Sequence, residues 1–318
     1  MADGQGADHQ AADTRRADNS VADNPVADNP AAGVRRVRAL GGLRPSGALL
    51  GVVPFFAYVT VFLVIPALVV VVGAFISEGR PTLGNLRALG EPAVTSALWH
   101  SVVLSAVTAV AGAVLGAILA YAVSTASPSG VLKRFVTSLC GVLAQFGGVA
   151  LAFAFLATFS AQGFLTRVLG TSGGLWLYEW DKGLMLVYLY FQVPLMLIVF
   201  LPAVEGLRPQ WREATETLGG STFLYWRKVA GPILMPSFIG ALLLLFTNAF
   251  SAYATAAALV SQGAPLLPLQ IGGTFTSEVV LGQEGVGKAM ALEMVVVVAV
   301  VMTVYAVLDR RASKWLVR

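Results

Sequence analysis

The chain has few charged residues, one cysteine and two histidines. Only 12% of its 318 residues are Asp, Glu, Lys or Arg, and its mean hydropathy is +0.76. A soluble domain carries about 25% charged residues, so this composition excludes a water-soluble enzyme and a disordered protein. The lone Cys140 excludes an internal disulfide scaffold, and two histidines are too few for most metal sites. A polytopic membrane protein remains.

Residues 1–45 differ in composition from the rest. Over the first 30 residues Ala-Asp recurs every five residues, and six Asp oppose two Arg in a chain whose net charge is +4. So little apolar surface cannot offset the entropy of ordering, which predicts a disordered, acidic cytoplasmic tail. The first apolar run begins only near Gly47 and is too long for a cleavable signal peptide.

Six long apolar stretches follow Pro45. Each has about the 20 residues that cross a ~30 Å hydrocarbon core as a helix. Residues 46–318 are therefore predicted to form an all-α polytopic membrane domain with six transmembrane helices. The stretches cover roughly residues 48–76, 97–123, 135–159, 183–204, 233–257 and 289–308.

The distribution of Lys and Arg predicts the orientation, because cytoplasmic segments of membrane proteins are enriched in both. With the N-terminus inside, the inside segments hold 16 of the 21 Lys and Arg. We therefore expect both termini in the cytoplasm and the chain in the cell inner (cytoplasmic) membrane. The segments 160–182 and 258–288 would then be outer loops.

The inside segment 205–232 has the pattern of two short helices. Pro209 suits a first helical turn, Gly219 and the glycine after it suit a helix end, and Ser221 can cap a second helix. That second helix is expected to end before Pro232 and its neighbouring glycine. The pattern predicts a rigid elbow pressed against the membrane, although an ordinary amphipathic connector fits the residues equally well.

The same segment resembles a motif of the membrane subunits of binding-protein-dependent ABC importers, the MetI-like permeases. Their motif reads Glu-Ala-Ala, three residues, Gly, nine residues, Ile, any residue, Leu-Pro. Here the Glu, the first Ala, the Gly and the Pro are in register, whereas Thr replaces the second Ala, Val the Ile and Gly the Leu. The corresponding residues are Glu213, Ala214, Thr215, Gly219, Val229, Gly231 and Pro232.

The resemblance implies a MetI-like ABC permease fold and a non-enzymatic subunit that forms half of a translocation pathway. It implies three kinds of protein partner: two ABC ATPase subunits, a second permease (copy or paralogue), and an extracytoplasmic solute-binding protein. ATP and Mg would be bound by the ATPase, and this chain would bind no cofactor, metal or nucleic acid. Apart from its protein partners, the chain would contact membrane lipid. The elbow, including Arg212 and the motif residues, would be the ATPase-coupling loop.

The solute is indicated only by a shorter similarity. The stretch Asn248-Ala-Phe-Ser-Ala-Tyr-Ala-Thr is similar to permeases of the polyamine, thiamine, iron and aminophosphonate branch. That similarity favours a small charged solute such as a polyamine.

Polar side chains inside the apolar stretches are the candidate pathway residues, because each is costly in lipid. Asn248, Ser251 and Thr255 recur at helical spacing in the fifth stretch, with Tyr253 beside them. This spacing predicts one polar stripe, which either lines the pathway or hydrogen-bonds neighbouring helices.

Two further stretches contain polar interruptions. Gln145 with two following glycines is expected to interrupt the third stretch, and Gln192 with Pro194 the fourth, either as substrate sites or as packing kinks. Gly112 and Gly116 have the Gly-x-x-x-Gly spacing of a helix contact.

Two other classes of function stay open. An ion- or proton-coupled secondary transporter would use Glu293 in the sixth stretch, unless that residue is simply solvated near a helix end. A membrane-embedded enzyme or scaffold is the other, and the sequence offers no convergent catalytic groups. The run before Lys288 has P-loop spacing, but Ala289 replaces the Ser or Thr that would bind Mg.

Overall fold

The structure is a computed structural model that describes residues 47–77, 79–127, 130–170, 180–260, 264–276 and 284–316. The tail predicted over residues 1–45 lies outside the described residues. By internal contacts the chain divides into two units, Met1–Pro54 and Phe55–Arg318. Of the first unit only the helical residues from Gly47 onward are described. The segment 205–232 and the candidate pathway residues all lie in the second unit.

The described residues are almost entirely helical, with one two-stranded antiparallel hairpin. A π-helical turn, Thr60–Val64, joins α1 and α2, and another, Trp226–Ala230, joins α10 and α11. The elements are α1 Gly47–Val59, α2 Ile65–Gly73, β1 Ile76–Ser77, β2 Arg80–Pro81, α3 Gly84–Ala88, α4 Pro92–Ser124, α5 Val131–Gln145, α6 Gly148–Phe159, α7 Phe164–Val168, α8 Trp180–Glu205, α9 Pro209–Thr217, α10 Thr222–Tyr225, α11 Gly231–Phe250, α12 Tyr253–Val260, α13 Leu267–Thr276 and α14 Glu284–Leu316.

Six helical segments in the described part of the chain are long and apolar enough to cross a membrane, which confirms the predicted number. Each overlaps one of the six apolar stretches, although the third overlaps the predicted 135–159 only from Gly148 onward. They are Val52–Gly73, Pro92–Ser124, Gly148–Val168, Lys182–Glu205, Thr222–Phe250 and Glu284–Val307.

The core of the second unit is built on the contact between α4 and α8. A Cβ added to Gly112 would lie 2.8 Å from the Cβ of Gln192, and one added to Gly116 would lie 2.7 Å from the Val193 carbonyl oxygen. The predicted Gly-x-x-x-Gly contact is therefore confirmed, since these two glycines let α8 approach the α4 backbone.

The helix breaks differ in part from the expected ones. The third apolar stretch is interrupted as predicted, between α5 and α6, where Gly148 has φ 70°. The predicted interruption of the fourth stretch is wrong, because α8 continues through Pro194. The other predicted alternative, a packing kink at Pro194, stays a prediction. The fifth stretch, expected to be continuous, breaks at Ser251-Ala252.

Helix α13 was missed by the sequence analysis, which assigned 258–288 to an outer loop. Leu267 and Leu269 are buried, and the Leu267 N–H donates to Ser101 Oγ on α4 at 2.8 Å. Ten residues containing two glycines and a proline gave no helical signal, so tertiary contacts decide this element.

Candidate functional site

The first helix of the elbow begins and ends where the sequence predicts. Pro209 opens α9, and Gly219 follows its end with φ 77°. The Gly219 and Gly220 N–H groups donate to the Glu216 and Thr215 carbonyls, both at 2.9 Å. These are the two bonds of a Schellman motif, which reverses the chain and satisfies the last carbonyls of the helix.

The second helix of the elbow does not end before Gly231-Pro232, so that expectation is wrong. Ser221 caps it as predicted, with its Oγ accepting from the Leu224 N–H at 3.3 Å. The helix then passes through the π turn directly into α11. Pro232 has no N–H to donate, and in the first turn of α11 none is required. A Cβ on Gly231 would lie only 2.6 Å from the Trp226 carbonyl oxygen. The glycine that replaces the motif's leucine therefore fits the π turn.

The solvent-exposed surface of the elbow combines charged and apolar side chains. Arg212 Nε donates to Glu216 at 3.0 Å, and this contact raises the pKa of the guanidinium. Glu213 is exposed and has no ion pair among the described residues. Leu218 is 88% exposed and Phe223 71%, so neither lies against the rest of this chain. Large exposed apolar side chains on both sides of the bend are typical of a docking surface.

The remaining predicted elbow residues hold the elbow together. Thr215 is half-buried, and its Oγ1 donates to the Trp211 carbonyl at 2.8 Å. Val229 is half-buried in the π turn. Ala214 and Pro232 are exposed, which leaves room for a close neighbouring surface.

The elbow is tied to α4 and α5. The Trp226 ring meets the Tyr121 ring of α4 edge-on, with centroids 5.1 Å apart. Lys133, at the start of α5, forms an ion pair with Glu205, the last residue of α8, at 2.5 Å. A displacement of the elbow would therefore be passed to α4 and α5 as well as to α11.

A polar pocket of about 480 Å³ lies where the two helix breaks meet. The Gly148 N–H, at the start of α6, donates to Thr255 Oγ1 on α12 at 2.9 Å, which joins the breaks. Five of the seven predicted pathway residues line this pocket. They are Gln145, Asn248, Ser251, Tyr253 and Thr255.

The pocket is polar but uncharged. Its described lining supplies two amides, hydroxyls, one tyrosine ring and the phenyl ring of Phe191, and among these residues there is no carboxylate or basic group. Interrupted helices leave backbone N–H and C=O groups without helical partners, and these can form hydrogen bonds with a ligand. The pocket is therefore suited to transient hydrogen bonding rather than to tight ionic binding.

Tyr188 supports the pocket and was missed by the sequence analysis. Its hydroxyl donates to the Ala252 carbonyl at 2.9 Å, inside the break between α11 and α12. The tyrosine is 2% exposed. In the sequence, Tyr188 could have been noticed because it lies one helical turn before Gln192. Its hydrogen-bond partner, Ala252, lies 64 residues further along the chain, so local sequence does not reveal the contact.

The structure does not bring Gln192 and Glu293 into the pocket lining. Gln192 is fully buried, and its Nε2 donates to Thr108 Oγ1 on α4 at 2.9 Å. Glu293 is half-buried on α14, and one of its carboxyl oxygens has no hydrogen-bond partner in the described part of the chain. The pathway role of both residues stays a prediction.

Comparisons with known proteins agree with this architecture. The model of the family described as "Binding-protein-dependent transport system inner membrane component" matches residues 112–314, which include the elbow and both helix breaks. The spermidine/putrescine transport system permease protein PotC of Escherichia coli K12 is 22% identical over 224 residues, covering 68% of this chain and 79% of PotC. The spermidine/putrescine transport system permease protein PotB of Haemophilus influenzae is 24% identical over 282 residues, covering 83% of this chain and 93% of PotB.

A solved structure shows the same fold. A chain of a bacterial ABC transporter involved in the import of the acidic polysaccharide alginate superimposes with a TM-score of 0.67. The match covers 83% of this chain and 95% of that one, at 14% identity.

Proposed function

Because this chain belongs to the family of inner membrane components of binding-protein-dependent transport systems, we propose that it forms half of the translocation pathway of an ATP-driven importer, with the polar pocket as its solute passage. It is a multi-pass membrane protein with a MetI-like ABC permease fold. The observation that carries the proposal is the position of the pocket between two helix breaks, one at the end of α11, which begins at the elbow, and one at the end of α5, which is ion-paired with Glu205.

Two helices connect the elbow to the pocket. Helix α11 continues from the elbow without a break for about 30 Å, and α5, held by Lys133 at Glu205, extends for about 22 Å. Asn248, in the last turn of α11, and Gln145, the last residue of α5, both line the pocket. A rigid-body movement of the elbow would therefore open or close the space between the two breaks.

The partners follow from this arrangement. Two ABC ATPase subunits would carry ATP and Mg and dock on the elbow, where the exposed Leu218 and Phe223 offer apolar contact and Glu213 can meet a basic residue. A second permease, copy or paralogue, would complete the pathway. A solute-binding protein would dock on the opposite side, at 160–182 and 258–288. The elbow and both termini would face the cytoplasm, and the chain would lie in the inner membrane.

The solute we propose is a polyamine or a similar small charged compound. The similarity to PotC and PotB supports this class. Since the described lining of the pocket is uncharged, carboxylates that neutralise a polyamine would come from the second permease.

The test is the variant Glu213→Ala in the transporter assembled in liposomes with its ATPase, second permease and binding protein. We expect the ATPase to dissociate during purification and ATP-driven spermidine uptake to fall by at least about tenfold, as for a lost interfacial charge contact. Glu91→Ala is the control, because Glu91 is also exposed but precedes α4 at its end away from the elbow.

Uptake by the purified chain alone, driven by an ion gradient and abolished by Glu293→Gln, would overturn the proposal in favour of a secondary transporter. Uptake of sulfate or a sugar instead of spermidine, with the Glu213 effect intact, would overturn only the solute class.

A further inference from the structure

A second cavity, separate from the pocket, lies between α2, the β-hairpin and the first turns of α14. Its volume is about 630 Å³. One wall is an apolar strip of α2 that contains Ile65, Leu68, Val69 and Val72, each between 48% and 57% exposed. The other wall contains Glu284, Gly285 and Lys288. The cavity therefore has an apolar side and a charged side at one end of two membrane-spanning segments.

Lys288 is a cation one turn inside the sixth span, and its side chain is 26% exposed. Its aliphatic chain lies against α2, where a Cβ on Gly73 would come within 2.5 Å of Lys288 Cδ. Among the described residues its only ionic partner is Glu284, with 3.6 Å between Nζ and Oε2, which is too long for a hydrogen bond. An ammonium at this depth is stabilised by an anion with several strong acceptors, such as a phosphate.

Glu284 restricts which phosphate can bind. Its carboxylate is 72% exposed at the mouth of the cavity and would repel a purely anionic headgroup. A headgroup that carries a primary ammonium beside its phosphate complements both residues, because the ammonium can donate to Glu284 while the phosphate accepts from Lys288. The apolar strip of α2 then covers the acyl chains.

We propose that this cavity is a binding site for a phosphatidylethanolamine-type lipid, with its phosphate on Lys288, its ammonium on Glu284 and its acyl chains along α2. The site is independent of the solute pathway. It lies at the end of α14 away from the elbow, where the interfacial headgroup layer supplies this class of ligand.

The test measures lipid retention by the full chain in nanodiscs of equal parts phosphatidylethanolamine, phosphatidylglycerol and phosphatidylcholine, followed by native mass spectrometry. The expected result is selective retention of phosphatidylethanolamine. Lys288→Met, which keeps the aliphatic chain over Gly73, should lower that retention by about fivefold, the upper range for one partly exposed ion pair. Glu284→Gln should instead equalise the retention of phosphatidylethanolamine and phosphatidylglycerol.

The control is Lys228→Met, an exposed lysine on the elbow, which should leave the lipid profile unchanged. Equal retention of all three lipids by the unmodified chain, or an unchanged profile in Glu284→Gln, overturns the proposal even if Lys288→Met does not fold. A photo-crosslinker at Leu68 in the assembled transporter should label lipid. Predominant labelling of the second permease would show that the cavity is a protein interface instead.

Discussion

At the scale of single residues, Tyr188 has the most specific polar contact near the pocket. Its buried hydroxyl donates to the Ala252 carbonyl, in the break between α11 and α12. A lost hydrogen bond of this kind costs about 1 kcal/mol, and its loss would also remove the tie between α8 and the break.

We expect Tyr188→Phe to lower the stability of the transporter by about 1 kcal/mol and to reduce uptake more than ATP binding. Thermal unfolding and solute flux measure the two effects. Tyr190→Phe is the matched control, because Tyr190 packs edge-on against Phe155 and has no hydroxyl partner among the described residues. Equal losses in both variants would mean that ring packing, not the hydroxyl, supports the break.

At the scale of elements, the distance between α4 and α8 depends on glycine. A Cβ at position 116 would collide with the Met196 side chain and the Val193 carbonyl, both on α8. Neither obstacle can be relieved by rotating the end of a flexible side chain, so the helices themselves would have to separate.

Gly116→Ala should therefore destabilise the fold by about 1–3 kcal/mol, despite the better helix propensity of alanine. The measurement is the midpoint of thermal unfolding in detergent. Gly141→Ala on α5 is the control, because its new Cβ would have only Ile198 Cδ1 nearby, at 3.9 Å. A Gly116→Ala variant as stable as the control would refute the tight contact.

At the scale of the whole second unit, the ion pair between Lys133 and Glu205 links the elbow to the pocket through α5. The Lys133 side chain is 18% exposed and that of Glu205 is 40% exposed, so solvent weakens the attraction only in part. Breaking the pair would leave α11 as the main connection from the elbow to the pocket.

Lys133→Met and Glu205→Gln should each raise the ATP hydrolysed per solute imported by about twofold, and raised ionic strength should act in the same direction. The double exchange Lys133→Glu with Glu205→Lys should recover part of the coupling. If it is no better than either single variant, the pair has no coupling role. Arg134→Met is the control, because Arg134 is the exposed neighbour of Lys133 on α5 and has no ion pair among the described residues.

The elbow shows how far local sequence can predict structure. The end of α9 at Gly219 and the cap at Ser221 were predicted correctly, since both depend on backbone preferences within a few residues. The continuation through Pro232 was not, because it requires a π turn that only the approach of Gly231 to the Trp226 carbonyl reveals.

By itself, the sequence determined that this chain has six membrane-spanning segments, where the elbow lies and which polar residues are candidates for the pathway. Apolar length and turn chemistry are properties of short segments and need no partner. Only the tertiary structure decided that α8 stays whole, that the fifth span breaks, and that Gln145 shares a pocket with Thr255 while Gln192 bonds Thr108 instead. Those outcomes depend on contacts between residues about 100 positions apart, and the free energy of such packing is not encoded in any local pattern.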